Sequence, residues 1–163
     1  MRFQALSLLA AVSLLAAACA TAPEPGANTA GAGAVTPPAS TTSVRPGSQQ
    51  DLAQTAGDRV FFAFDKSDIT PEAKQILQKQ ADWLKKYPNV TVTVEGHCDE
   101  RGTREYNLAL GERRANAVKN VLVALGIPTN RVSTISYGKE RPAVVGSNEA
   151  AWAQNRRGVT TVN

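Results

Sequence analysis

One stretch, Gly96–Ala115 (GHCDERGTREYNLALGERRA), concentrates side chains able to grip a small charged molecule. Asp99 follows an alternating apolar run through Val90, Val92 and Val94, and Arg114 comes fifteen residues later. A carboxylate takes an ammonium, and a planar guanidinium takes a carboxylate through two parallel hydrogen bonds. Brought to one pocket, the pair suits a zwitterion; held against each other, they make a structural ion pair. His97 and Cys98 suggest a different chemistry, a nucleophile with its base or, with Asp99, a zinc site. Against this, His97 is the only histidine in the chain. Neighbouring residues on a strand point to opposite faces, so His97 and Cys98 do not naturally converge. The ligand spacing of a zinc site is absent, as are Gly-x-Ser-x-Gly, His-Glu-x-x-His and phosphate-loop motifs. The expectation is a binding protein and not an enzyme, with no metal and no cofactor.

The elements that must position these groups are legible from periodicity and caps. Arg59–Phe64 reads as a short buried strand. Thr70-Pro71-Glu72 is a helix start: an N-cap residue, a proline at the first helical position and an acid near the positive end of the dipole. Ala73, Ile76, Leu77, Gln80, Ala81 and Leu84 continue at helical spacing until Pro88 and Asn89. Val90–Glu95 alternates as a strand. Thr103 caps a second helix running to about Leu125, with Leu108, Ala115, Val118, Leu122 and Leu125 as its buried stripe. Asn107, Leu110 and Arg114, spaced i, i+3, i+7, are expected on one face away from the centre of that stripe. Val132–Tyr137 reads as a third strand, Glu149–Asn155 as a helical turn and Gly158–Val162 as a closing strand. The order is about β-α-β-α-β-β, an α+β sandwich with two helices packed on one face of a small mixed β-sheet.

The GHCDERGT…YN…LGERRANAV wording resembles the OmpA-like peptidoglycan-binding domain family, over about Arg59 to Asn163, and within it the lipoprotein branch that works with the Tol system. The resemblance implies the same OmpA-like fold. It implies that Asp99 and Arg114 hold the amine and carboxylate of diaminopimelate in the peptidoglycan stem peptide. Carried over residue by residue, Phe64 walls the site, Asp65 and Asn107 hydrogen-bond the ligand, Arg156 adds a second positive charge and Arg101 lines the rim. Read without the family, Phe64 is an aromatic closing a buried strand and would be core. The family usually has Thr where this chain has Cys98, and a thiol is the poorer donor. The helix starts near Asp65–Thr70 and Gly102–Glu105 offer N–H groups to a second carboxylate. Replacing Asp99 or Arg114 by alanine is expected to leave the fold intact and to cost about 2–5 kcal/mol of binding. The family also implies partners, the propeller protein TolB and other Tol-system proteins, and roles in envelope integrity and constriction at cell division. An envelope protein-interaction hub with little wall binding of its own is the alternative; Trp83, Tyr87 and Trp152 are its candidate contact aromatics.

The N-terminus reads as a processing signal. Arg2 precedes an apolar stretch, Leu6–Leu15, too short to span a bilayer. Ala16–Ala18 then lead into Cys19, an arrangement that resembles a bacterial lipobox and implies acylation at Cys19, with Ala16 where leucine is usual. Ala20 is compatible with sorting to the outer membrane, with the domain facing the periplasm of a Gram-negative cell. The expected divisions are a signal peptide over 1–18, an acylated cysteine and disordered linker over 19–50, and the domain over 51–163. The linker is dense in Pro, Gly, Ala, Ser and Thr and holds little that could bury. It reaches roughly 30 Å r.m.s.. The domain carries 16 Lys/Arg against 13 Asp/Glu, without the dense basic stripe that nucleic acid binding needs. With Cys19 acylated, Cys98 has no intrachain partner.

Overall fold

The computed structural model describes residues 44–163. The expected signal segment, Cys19 and the linker through residue 43 lie outside the described residues. The described residues include a helix that starts ahead of Asp51. Helix α1, Gln49–Thr55, is capped by Ser48, whose hydroxyl accepts from the Asp51 N–H. The Asp51 carboxylate in turn accepts from the Gly47 N–H at 2.8 Å and from the Trp83 indole at 3.1 Å. The Gln49 side chain reaches the last strand, donating to the Thr160 carbonyl and accepting from the Val162 N–H. These last contacts join residues more than a hundred positions apart, so the Ser48 cap is the one local sign of the helix and the rest of its support is tertiary.

The remaining elements are β1 (Arg59–Phe61), α2 (Pro71–Lys86), β2 (Val92–His97), α3 (Arg104–Ala124), a 3₁₀ turn (Thr129–Arg131), β3 (Val132–Gly138), α4 (Glu149–Asn155) and β4 (Arg157–Val162). They make the expected α+β sandwich. The sheet runs β1-β4-β2-β3, with β2 and β3 parallel and β4 antiparallel to both its neighbours. The parallel pair needs a crossover, and α3 supplies it. The caps at Thr70 and Thr103 lie where the sequence puts them, accepting from the Ala73 and Tyr106 N–H groups, and Asn148 caps α4 in the same way, accepting from the Ala151 N–H.

Val60, Val92, Val94 and Val132 face the helices and are fully buried against Leu77, Ala81 and Leu84 of α2 and Ala115, Val118 and Leu122 of α3. Two boundaries shift in ways that matter for the site. β1 ends at Phe61, because after Phe62 the chain turns away into a loop. β2 starts later than expected and runs on to His97, with a bulge between Gly96 and His97. A bulge re-aims the residues beyond it, here Cys98 and Asp99.

The buried stripe of α3 differs from expectation. Leu108 and Leu125 are only half-buried, whereas Asn107, Leu110, Gly111 and Arg114 are buried in line with Ala115, Val118 and Leu122. The polar residues thus continue the core face instead of standing off it. The helix can seat so low because Gly96 and Gly111 face each other. A Cβ on Gly96 would collide with the Gly111 carbonyl oxygen, so only glycine permits this approach of helix to strand.

Candidate functional site

A cavity of about 170 Å³ opens where the β1–α2 loop, the β2–α3 loop and the first turns of α3 meet. Its charged lining is Asp65, Asp99, Arg101 and Arg114, two of each sign, with Phe64, Tyr106, Asn107 and Leu110 as walls. It lies beyond the carboxyl ends of the parallel strands, where an α/β crossover leaves a crevice.

Arg114 is the floor. It is fully buried, the largest side chain of which that is true. Its Nε donates to the Lys66 carbonyl at 2.8 Å, Nη1 to His97 at 2.8 Å and Nη2 to Ala63 at 3.2 Å, with the guanidinium over the Phe62 ring. Three of five N–H groups are thereby committed to backbone; one on each terminal nitrogen makes no hydrogen bond to the described residues. Burial draws the Arg114 pKa down, but a guanidinium remains charged at any physiological pH. Arg114 and Asp99 line the same cavity without pairing with each other, so the structural ion pair between them is not what the fold builds.

Asp99 is buried at 5% exposure. Oδ1 accepts from the Arg101 backbone N–H and Nε, both at 3.1 Å; Oδ2 accepts from Arg101 Nη2 at 2.6 Å and Arg156 Nη1 at 3.4 Å. Burial pushes its pKa up, but the bonds from Arg101 and Arg156 outweigh it, and the carboxyl sits below its usual value. Asn107 fastens the same loop, donating to the Arg101 and Thr103 carbonyls at 2.8 and 2.9 Å, while its own backbone carbonyl accepts the Cys98 thiol. Its side chain therefore works on the loop. Asp65 adopts the left-handed region, φ 57°, the only non-glycine among the described residues to do so, and accepts from the Tyr106 hydroxyl.

One expected residue lands elsewhere than foreseen, and another lies where the resemblance put it. Arg156 stands behind Asp99 and does not line the cavity: it is buried, with Nε on the Phe62 carbonyl and Nη2 on Glu149 at 2.6 Å. Phe64 is 57% exposed and walls the cavity at its rim, as the resemblance implied, and is not the core residue that the strand pattern alone suggested. Tyr106 lines the cavity although the sequence analysis gave it no role, its place beside Asn107 in the YN of the motif being the signal that could have found it; Trp152, foreseen only as a contact aromatic, stands behind Arg101 at the edge of the site. The Trp152 ring packs on Arg101, and its indole donates to Glu100 at 3.0 Å.

The histidine and cysteine do not form a dyad. His97 Nε2 lies 3.4 Å from Glu95 and its ring packs on Tyr137, whereas Cys98 Sγ is directed to the Asn107 carbonyl. Burial, with the Arg157 and Arg141 charges adding to it, lowers the His97 pKa to about 4, and burial raises that of the Cys98 thiol. A neutral histidine and a protonated, buried thiol are poor reagents at neutral pH. Among the described residues no group of three His, Cys, Asp or Glu side chains is placed to hold a metal ion.

The OmpA family model matches residues 61–156, which include every residue lining this cavity. The chain belongs to the OmpA family. Its relatives include the peptidoglycan-associated lipoprotein of Brucella melitensis, 57% identical over 118 residues that cover 72% of this chain and 70% of that one. Another, from Mesorhizobium japonicum, is 48% identical and covers 96% of this chain and 90% of its own. Among solved structures, the peptidoglycan-associated lipoprotein from Burkholderia pseudomallei superposes with a TM-score of 0.64 at 42% identity, over 65% of this chain and 90% of that one. The C-terminal domain of Helicobacter pylori MotB shares the fold at 23% identity, TM-score 0.61, over 65% of this chain and 84% of that one. This OmpA-family domain thus carries its charge-balanced cavity wholly within the family's common segment.

Proposed function

We propose that this chain is an outer-membrane lipoprotein that binds peptidoglycan noncovalently, its domain facing the periplasm on a leash from an acylated Cys19. The observation that carries the reading is the cavity itself: two carboxylates and two guanidiniums around a space the size of an amino-acid head group. Such a lining suits the zwitterionic end of diaminopimelate. The ligand carboxylate takes the two N–H groups that Arg114 leaves unused, and the ammonium is held by Asp99 with Asp65 at the rim. Asn107 and Arg156 act through the loop and through Asp99. That the relatives are peptidoglycan-associated lipoproteins supports peptidoglycan as the polymer bound. The kinship with peptidoglycan-associated lipoproteins supports binding without catalysis. Work with TolB and other Tol-system proteins in envelope integrity and division is inferred from the same kinship.

The test is retention of the full chain on diaminopimelate-type peptidoglycan, wild type beside Asp99→Asn. The asparagine keeps the shape and the acceptor for the Arg101 N–H but removes the charge. Loss of at least about thirtyfold in affinity, the lower end of the roughly 2–5 kcal/mol of an unpaired site charge, is expected with the fold unchanged by circular dichroism. Undiminished retention by the folded variant removes the pocket from the reading; no retention by either protein leaves the hub as the function. Cys19→Ser is expected to release the chain from the membrane fraction, and unchanged fractionation argues against the acyl anchor.

A further inference from the structure

The carboxylate that should receive the ligand's ammonium is already occupied by a cation of the chain itself. Arg101 grips Asp99 through Nε and Nη2, and its guanidinium lies 4.0 Å from the centroids of both the Phe64 and Trp152 rings. The two rings come from separate elements, the β1–α2 loop and α4, so the sandwich closes over the loop that bears Asp99. Trp152 is fixed for the purpose by its bond to Glu100. The guanidinium thus meets two π surfaces and a carboxylate at once, each of which favours its retention.

The same contacts show how Arg101 can leave. Its side chain is 30% exposed, against 6% for Asp99. Its backbone N–H bonds Asp99 independently of the guanidinium, and Arg156 bonds the other oxygen from behind. Rotation of the Arg101 side chain into solvent therefore vacates two acceptor positions on Asp99 without turning the carboxylate or moving the loop. An ammonium has the donors to fill both.

Resting on the peptidoglycan reading above, we propose that Arg101 is a specificity-determining residue that holds the ammonium position of the site in the free protein and is exchanged for the ligand's cation. A ligand that brings a carboxylate alone reaches Arg114 but leaves Arg101 seated. One that brings both charges displaces it and opens the slot between Phe64 and Trp152. The exchange makes the site select for ligands carrying both groups, at the cost of weaker binding than an open site would give.

The experiment titrates the full chain with a soluble diaminopimelate muropeptide and with the same muropeptide N-acetylated on the diaminopimelate amine. It follows affinity by calorimetry and the two tryptophan indole N–H signals by NMR. The chain has only two tryptophans, and Trp83, buried and bonded to Asp51, serves as the unmoved reference. The free amine is expected to shift the Trp152 signal and the acetylated one to leave it in place. Arg101→Ala removes the competitor and is expected to bind the free-amine ligand about tenfold more tightly. Arg101→Lys, which neither stacks as a plane nor bonds bidentately, falls between. Weaker binding by folded Arg101→Ala, or wild-type binding with Trp152 unmoved, overturns the exchange while the wall-binding reading stands. Absence of wild-type binding to the free-amine muropeptide overturns both.

Discussion

Arg114→Ala should test the fold as much as the site. The substitution takes charged donors from three carbonyl oxygens, those of Ala63, Lys66 and His97. A hydrogen bond to a charged group contributes roughly 1.5–3 kcal/mol, which would place three of them at about 4.5–9 kcal/mol if nothing replaced them. The cavity lies against the guanidinium, so water can enter and satisfy part of the loss. The expected destabilisation is therefore about 3–5 kcal/mol, a large share of a small domain's stability. Arg114→Lys keeps the charge but not the fork and should lose about 2 kcal/mol. Urea unfolding of the full chain followed by circular dichroism reads this directly. With a slope of roughly 2 kcal/mol per molar, the alanine variant's midpoint should fall by about 2 M. A fall below about 0.5 M at unchanged slope would refute the idea that these carbonyls depend on Arg114. The sequence-based expectation that the alanine variant leaves the fold intact gives way here, because Arg114 holds the β1–α2 loop to the end of β2 as well as lining the cavity. Loss of binding in that variant is thus no proof of contact, and Asp99→Asn is the cleaner probe.

Two further outcomes rest on burial and close approach. His97 titrates near 6.5 when unfolded and about 4 when folded, so between those values the unfolded chain binds more protons; stability is full above pH 6.5 and falls with pH, by about 2 kcal/mol at pH 5 and about 3 kcal/mol at pH 4. His97→Gln should flatten the pH 5–7 portion of a series of urea midpoints, and equal slopes in both proteins would sink the assignment. Gly96→Ala drives a methyl into the Gly111 carbonyl, and should lower stability by roughly 2–3 kcal/mol and weaken muropeptide binding together, because α3 must lift and carry Arg114 with it; a stable variant with normal affinity would show that the helix has room.

The fold is legible where local chemistry decides it. Thr70-Pro71, Thr103 and Asn148 satisfy helix N-termini with their own side chains, so α2, α3 and α4 can be read from the chain. Helix α1 carries a cap of its own in Ser48, but it follows directly on the Pro/Gly-rich stretch, and Gln49 and Asp51 are also held by Thr160, Val162 and Trp83 from across the domain, contacts that no local pattern announces. The stripe of α3 is misleading for a related reason. Binary patterning treats Asn107 and Arg114 as outward-facing, yet paired glycines bring the helix onto β2 and the polar groups find carbonyls inside.

The three arginines around Asp99 show why residue type alone underdetermines a site. Arg101, Arg114 and Arg156 carry the same charge, but the number of backbone carbonyls each engages separates their work. Arg114 engages three and can only offer what remains, so it is fixed floor. Arg156 engages one carbonyl and two carboxylates, so it is a brace that neutralises part of Asp99 without reaching the cavity. The Arg101 side chain engages none; all its partners are a carboxylate and two rings. A side chain whose only anchors are Asp99 and π faces can be replaced by any cation that satisfies Asp99 equally well. One held by carbonyls cannot, since no ligand would repair the backbone it abandons. The same distinction explains how the site keeps two opposite charges close to each other without collapsing into a permanent pair: the carbonyls hold Arg114 down, Arg101 and Arg156 hold Asp99 off, and the gap between them is the cavity.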